Sequence, residues 1–354
     1  HGGGWLAQAG TGRIFLAPAT GGAPRQFHAD FSSAAHPVWS PDGKKIAFSS
    51  RRNGYFDIYI LDLGTGEVTR VTDSLSYDAS PSWSPDGQWV AYETYENGNY
   101  DIRISSAVDP AQSPIFLTND SFIDRSPAWS PLGRQIAFVS NRSGDDEVWL
   151  VDLDQAASGQ YINVSNRPLG DEDHPTWSGD GTRLAWSGSG GNDAAGIFTV
   201  DALNPGSLPI YLGPGDQPVW SPSADTIGIR LVTPNEDYLT AYNASGLLAL
   251  PPTLLPGRMQ GFSLGALEFP DQLPDSLQQA SVEPTPVWAP VLESSTQNLP
   301  PGRIGLVTIP DVQAPFPQLN DLTNESFTAL RDRLIRETGW DVLANLENAF
   351  SPLT

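Results

Sequence analysis

The sequence predicts an all-β fold: a six-bladed β-propeller of four-stranded blades, followed by a Pro-rich C-terminal extension and short terminal helices. Three observations support this prediction. A Pro-x-Trp-Ser-Pro-Asp-Gly motif occurs five times in more or less complete form, its tryptophans are 44, 46, 48 and 43 residues apart, and short apolar runs separate the copies. A period in the forties with a fixed Trp and a fixed turn is typical of arrays of four-stranded blades. The five tryptophans are Trp39, Trp83, Trp129, Trp177 and Trp220.

Each repeat contains the signals of four short strands. The first strand ends at the motif, where Ser-Pro-Asp-Gly favours a type I turn followed by a glycine with positive φ. The second strand is an apolar triplet such as Ile46-Ala47-Phe48, which is too short for a helix and is bounded by turn residues. We expect its small central residue to let neighbouring sheets approach, and the repeated Trp to fill the space between blades.

The closure of the propeller is predicted from the two chain ends. Residues 13–16 and 24–28 match the third and fourth strands of a repeat, so the inner strands of that blade must come from elsewhere, because proteins avoid exposed strand edges. The favoured source is the apolar segment 258–269, which gives six blades. An alternative closure uses residues 285–288 with 303–309. Five and seven blades are the alternative counts.

The repeats resemble the bacterial TolB-type, WD40-like β-propeller repeat, in the pattern P-x-W-S-P-D-G-x-x-I-A-F-x-S. The resemblance covers about residues 12–270, and it is most specific in the first four copies. The same repeat occurs in propeller domains of prolyl-oligopeptidase-like peptidases and of some sugar lyases. The resemblance therefore implies a fold and a range of roles, mostly binding, and no single activity.

Composition restricts the partners and the compartment. The formal net charge is −22 and Lys44 and Lys45 are the only lysines, so nucleic acid and anionic membrane surfaces are disfavoured as partners. Basic partner surfaces are favoured. The chain has no cysteine, which is compatible with a secreted, periplasmic or cell-surface bacterial protein, and no apolar run is long enough to span a bilayer.

Three segments are expected along the chain. We expect residues 1–270 to form the propeller. The Pro-rich residues 271–320 are expected to act as a linker or to wrap along the propeller, because proline at this density favours extended structure. Residues 321–354 are expected to be helical, since apolar side chains such as Phe327, Leu330 and Leu334 recur at helical spacing. Short helices of this kind need another surface to dock on.

The candidate binding site is an acidic collar. The connectors that lead into the inner strands carry carboxylates two to three residues before each motif, and such loops converge around one mouth of the channel of a propeller. We expect His36 and His174 to face the axis nearby. The collar favours a basic protein partner or a hard cation such as Ca²⁺. Its carboxylates are Asp78, Asp124, Glu172, Asp173 and Asp216.

No credible catalytic set is present in the sequence. The segment Gly261-Phe262-Ser263-Leu264-Gly265 matches the G-x-S-x-G nucleophile pattern, but no helix pattern follows it and all four histidines lie upstream. The leading hypothesis is a non-catalytic module that binds a protein or glycan at its channel mouth. The alternatives are an accessory or gating propeller of a larger hydrolase and a structural subunit of a surface assembly.

Overall fold

A computed structural model of the chain describes residues 5–10, 13–18, 25–27, 33–154, 160–190, 194–221, 226–234, 236–254, 259–265, 306–308 and 318–320. Every regular element in these ranges is a β-strand, which confirms the all-β prediction. The predicted helices of residues 321–354, and most of the Pro-rich segment 271–320, lie outside the described residues. No helix that could cross a membrane is found where the structure describes the chain.

Five blades are each built from four consecutive antiparallel strands. The first contains β4 Ala35–Trp39, β5 Lys45–Ser50, β6 Asp57–Asp62 and β7 Val68–Arg70. The second contains β8 Tyr77–Trp83, β9 Trp89–Glu96, β10 Asn99–Ser106 and β11 Ile115–Phe116. The third contains β12 Asp124–Trp129, β13 Gln135–Ser140, β14 Glu147–Asp152 and β15 Tyr161–Asn163. The fourth contains β16 Gly170–Trp177, β17 Arg183–Gly190, β18 Gly196–Asp201 and β19 Ile210–Gly213. The fifth contains β20 Asp216–Trp220, β21 Thr226–Val232, β22 Asp237–Asn243 and β23 Leu248–Leu254.

The remaining four-stranded sheet is composite and corrects the predicted closure. Its strands are β24 Met259–Gly265, β1 Trp5–Gly10, β2 Arg13–Pro18 and β3 Arg25–Phe27, in that order across the sheet. The structure thus has five blades of consecutive strands, where the sequence predicted six blades. The N-terminus adds three strands to the composite sheet, where two were predicted. In this sheet, β24 is the innermost strand, and β24 alone comes from the part of the chain that follows the repeats. The strand next to it is β1, because residues 5–10 pair with both β2 and β24. The alternative closure through residues 303–309 is wrong for residues 306–308, because these pair with residues 318–320 in a separate sheet.

The innermost strands make the circle continuous. β4 contacts β8, β8 contacts β12, β12 contacts β16, β16 contacts β20, β20 contacts β24, and β24 contacts β4. Closure of this kind leaves no inner edge exposed. The separate pair β25 Leu306–Thr308 and β26 Gln318–Asn320 is antiparallel and forms its own two-stranded sheet.

The Ser-Pro-Asp-Gly turn forms as the sequence predicts. In the first blade, Ser40 Oγ donates to Asp42 Oδ1 at 2.6 Å, and the Lys45 amide donates back to Ser40 Oγ at 2.9 Å. Gly43 has φ +66° and its amide donates to the Ser40 carbonyl at 2.8 Å. Ser and Asp side chains therefore satisfy the backbone of the turn locally.

The motif tryptophans pack between blades, as predicted. Trp83 lies in a cluster with Ala47, Ile58 and Ile60 of the preceding blade, and its Nε1 donates to the Val38 carbonyl at 3.2 Å. Trp177 of the fourth blade packs in the same way against the third blade, and its Nε1 donates to the Ala128 carbonyl at 3.0 Å. The indoles of Trp83 and Trp177 thus join two sheets by apolar contact and by one hydrogen bond each.

Candidate functional site

A cavity of about 410 Å³ lies where the inner strands β4, β8, β12 and β16 meet. We call it the central cavity. Its lining combines two tyrosine rings, Tyr77 and Tyr100, with two imidazoles and several carboxylates. Ligand sites in proteins commonly fall in a range of about 300–1,000 Å³, so the volume suits a small ligand or one part of a larger one.

The innermost strand of each of the five repeat blades contains a β-bulge, and four of the five bulge residues line this cavity. The residue before the motif proline adopts a left-handed conformation with φ between 45° and 53°, and the strand register shifts at that point. Bulges re-aim side chains, and left-handed residues other than glycine cost about 1–3 kcal/mol each, a strain typical of functional sites. The five bulge residues are His36, Ser80, Ser126, His174 and Gln217.

Arg125 organises the charged side of the cavity. Its guanidinium binds Asp146 at 2.6 Å and Asp173 at 2.7 Å. Asp173 Oδ1 also accepts hydrogen bonds from Ser126 Oγ and from the His174 amide, both at 2.8 Å. Nearby His174 and Arg125 outweigh the effect of burial and lower the pKa of Asp173. Asp173 therefore stays ionised and joins the third blade to the fourth.

Glu93 lies on β9 of the second blade and contacts the third blade. It is buried, and its Oε2 accepts the Ser126 amide hydrogen bond at 2.8 Å. Burial raises the pKa of Glu93, which favours its neutral form. Burial, followed by the neighbouring His174, also lowers the pKa of His36 to about 4, so its imidazole is neutral at pH 7.

A row of aromatic rings leads from the cavity toward the surface. Its members are Phe56, Tyr77, Tyr100 and Tyr95, and we call them the aromatic row. Successive ring centroids are 5.1, 6.4 and 4.7 Å apart. Tyr95 and Tyr100 belong to the hairpin of β9 and β10, whose eight-residue strands are longer than the six-residue strands at the same place in the first and third blades.

The structure brings three of the predicted site residues together, namely His36, Asp173 and His174, which all line the central cavity. The other four predicted carboxylates do not line it. Asp78 accepts hydrogen bonds from Thr94 and Ser74, and Asp124 pairs with Arg142. Glu172 pairs with Arg167, and Asp216 binds Arg230 through both oxygens.

Four of the five predicted collar carboxylates therefore bond to side chains that do not line the central cavity. In the first four blades, the residue five positions before the motif tryptophan is buried, and in three of them it is one of the carboxylates Asp78, Asp124 and Glu172. Within the described residues, no three histidine, aspartate or glutamate side chains lie close enough to hold a metal ion. The calcium hypothesis thus has no ligand set in this part of the chain.

Glu172 gives a testable pH dependence. Burial raises its pKa from 4.5 to about 8, although the nearby Arg167 opposes the shift. The folded protein therefore keeps a proton that the unfolded chain releases, so this contribution to stability is complete below about pH 4.5 and is lost as the pH rises to about 8. We expect Glu172→Gln, which mimics the neutral form, to gain stability relative to the parent chain across this interval.

Urea denaturation at closely spaced pH values measures the difference. Asp171→Asn, which removes the preceding exposed carboxylate, controls for the change in net charge. Parallel stability curves for Glu172→Gln and the parent chain between pH 4.5 and 8 would show that Glu172 is ionised in the folded protein.

Several site residues were not predicted from the sequence. Arg125 and Glu93 lie within strands and match no motif. The Asn97-Gly98 dipeptide between tyrosines was a readable signal for a projecting hairpin, and both residues have positive φ here. The G-x-S-x-G segment forms strand β24, where Ser263 Oγ accepts the Trp39 amide hydrogen bond at 3.2 Å. Ser263 thus lies inside a strand, whereas the nucleophile of this motif sits at a turn that follows a strand.

A closed circle of four-stranded sheets around a central cavity, completed by strands from both chain ends, defines a β-propeller. The chain belongs to the TolB beta propeller domain family, which matches residues 7–224.

Solved structures of bacterial proteins have a similar fold. TolB from Acinetobacter baumannii superposes with a TM-score of 0.66 at 22% identity, covering 75% of this chain and 67% of that one. The putative TolB from Agrobacterium tumefaciens gives 0.55 at 19% identity, covering 75% and 91%. A puromycin-hydrolyzing peptidase of Mycobacterium tuberculosis gives 0.52 at 15% identity, covering 68% and 41%. At these identities the similarity concerns the fold.

A curated sequence relative shares a shorter segment. The chain is 43% identical over 63 residues to an uncharacterized protein of Agrobacterium fabrum (strain C58 / ATCC 33970), which is 18% of this chain and 21% of the relative. The match thus spans about a fifth of the length of that relative.

Proposed function

We propose that this chain is a non-catalytic binding module of a secreted, periplasmic or cell-surface bacterial protein, and that its central cavity receives a protein or glycan ligand. The observation that carries the proposal is the cavity itself. Four of its lining residues sit on strained bulges that hold their side chains toward the axis, and strain of this kind is kept where a site must be preorganised. Membership of the TolB beta propeller domain family supports the binding role.

The chemistry of the cavity supports binding more than catalysis. His36 Nδ1 lies 3.3 Å from Ser49 Oγ, which is a serine–histidine contact. Ser49, however, is completely buried and donates its own proton to the Ala35 carbonyl at 3.1 Å. A nucleophile must reach its substrate, so this pair has a structural role.

An accessory propeller of a larger hydrolase is the second candidate function. The puromycin-hydrolyzing peptidase with this fold supports it, because the shared fold accounts for less than half of that chain. In both cases the central cavity is the binding surface, so one experiment tests the site for both.

The test is to select ligands and then block the cavity. A phage-displayed random peptide library and a neutral and charged glycan array are screened against the parent chain. Ile123→Trp places a large side chain at the cavity wall, and we expect it to weaken binding of the selected ligands at least about tenfold. Ile162→Trp is the matched control, because Ile162 is an exposed isoleucine on the outer strand of the same blade.

The comparison of the two variants decides the outcome. Loss of binding in Ile123→Trp alone supports the central cavity as the site. Selected ligands that bind both variants as well as the parent chain would contradict the proposal. Thermal unfolding of each variant checks that the substitutions leave the fold intact.

A further inference from the structure

The charged groups of the central cavity are already bonded to one another. Arg125 holds two carboxylates, Asp146 and Asp173, and Asp173 is further bound by the Ser126 hydroxyl. Glu93 is buried against the Ser126 amide, and burial raises its pKa. A charged ligand would have to displace one of these partners. The group that lost its partner would then be a buried, unpaired charge, which is costly. The cavity therefore favours an uncharged ligand.

Three further lining groups, His36, Tyr77 and Ser80, can form hydrogen bonds without carrying charge. Burial lowers the pKa of His36 to about 4 and raises the pKa of Tyr77 to about 12, so both side chains are neutral at pH 7. Ser80 adds a hydroxyl group on the same wall. Neutral donors and acceptors at several points around a cavity suit a ligand that carries several hydroxyl groups of its own.

The aromatic row continues this site to the surface. Tyr100 lines the cavity and contacts Tyr95, whose side chain is 43% exposed. The hairpin that carries both rings is fixed, because Asn99 Nδ2 donates to the carbonyls of Asp120 and Phe122, each at 2.9 Å. The rings are thus held in place before any ligand binds, which lowers the entropy cost of binding.

We infer that the ligand of the central cavity is a neutral oligosaccharide of pyranose rings, with one end in the cavity and the following rings stacked along Tyr100 and Tyr95. Pyranoses combine hydroxyl edges with apolar C–H faces. The site offers neutral polar groups for the hydroxyl edges and tyrosine rings for the C–H faces. Tyrosine suits this contact because its ring is apolar and its hydroxyl group is polar. The inference rests on the proposed function and names its ligand class.

Isothermal titration calorimetry with defined sugars tests the inference. The probes are cellotetraose, chitotetraose and maltotetraose as neutral oligosaccharides, and trigalacturonate as a charged one. We expect at least one neutral tetrasaccharide to bind with a Kd of about 1 mM or below, and trigalacturonate to bind at least about tenfold more weakly. The Ile123→Trp variant should lose the neutral sugar.

Two tyrosines of equal exposure supply the matched control. Tyr95 and Tyr211 are each 43% exposed, but Tyr211 lies on the outer strand of the fourth blade. Tyr95→Ala should weaken sugar binding about tenfold, Tyr95→Phe should retain it, and Tyr211→Ala should leave it unchanged. Equal effects of Tyr95→Ala and Tyr211→Ala would overturn the stacking role of the aromatic row.

The same measurements separate this inference from the proposed function. No binding of any of the three neutral tetrasaccharides at about 10 mM overturns the inference. If a selected peptide then binds and is lost in Ile123→Trp, the proposed function stands with a polypeptide as the ligand. If a sugar binds the parent chain and Ile123→Trp equally, both the inference and the cavity as its site are wrong.

Discussion

Replacing Trp177 by alanine is expected to lower the free energy of unfolding by about 3–5 kcal/mol, the usual cost of truncating a buried tryptophan. The indole is buried among Ala137, Val148 and Leu150 of the preceding blade and Leu184 of its own. Its removal leaves a cavity between two rigid sheets, which cannot collapse into it easily. Urea denaturation measures the change, provided that the m-value is unchanged.

A graded series separates packing from hydrogen bonding. Trp177→Phe keeps most of the ring and removes the donor to the Ala128 carbonyl, so it should cost clearly less than Trp177→Ala. Phe116→Ala, on the exposed outer strand of the second blade, serves as the control for loss of an aromatic ring. If Trp177→Ala costs no more than Phe116→Ala, the indole does not hold the blades together.

The repeated part of the fold was predictable because its signals are local. The turn is encoded by Ser40, Asp42 and Gly43 within four residues, and these three form it by direct hydrogen bonds. The tryptophan spacing fixes the length of a blade. None of these features depends on distant parts of the chain, so sequence alone determines them.

The closing sheet was predicted only in part, because its pairing is long-range. Residues 5–10 carry no motif and pair with residues 259–265, which are far from them in the sequence. The register is also irregular, with a shift between Gln8 and Gly10. Gly261 has φ +125°, and a Cβ there would lie 3.1 Å from the His36 Cα, a contact that no local pattern reveals.

The candidate site was only partly predicted because the bulge changes which side chains face the axis. In a regular strand, alternate residues face the same side, so a bulge shifts every position before it. Asp124 and Glu172 lie five residues before their tryptophans and are fully buried, whereas Asp173 lies four before and lines the cavity. The sequence places Glu172 and Asp173 side by side, and the register sends only Asp173 to the cavity.

Arg142→Met is expected to cost about 3–5 kcal/mol, because it leaves the buried Asp124 carboxylate without its counter-ion. Arg142 is 8% exposed and Asp124 is completely buried, and Arg142 Nη2 lies 2.9 Å from Asp124 Oδ1. The guanidinium also lies over the ring of Tyr161, with 3.9 Å to its centroid. The methionine side chain retains much of the apolar contact, so the loss measures mainly the uncompensated charge.

A double-mutant cycle isolates this charge. Arg142→Met combined with Asp124→Asn removes both charges, so the double variant should regain most of the stability that Arg142→Met loses. Arg134→Met is the matched control: Arg134 pairs with Asp154, but its side chain is 60% exposed, and exposed pairs contribute about 0–1 kcal/mol. Burial raises the pKa of Asp124 and Arg142 opposes this, so Arg142→Met should also let Asp124 take up a proton at higher pH. If Arg142→Met costs no more than Arg134→Met, the carboxylate is neutralised without its partner, and the ion pair does not stabilise the third blade.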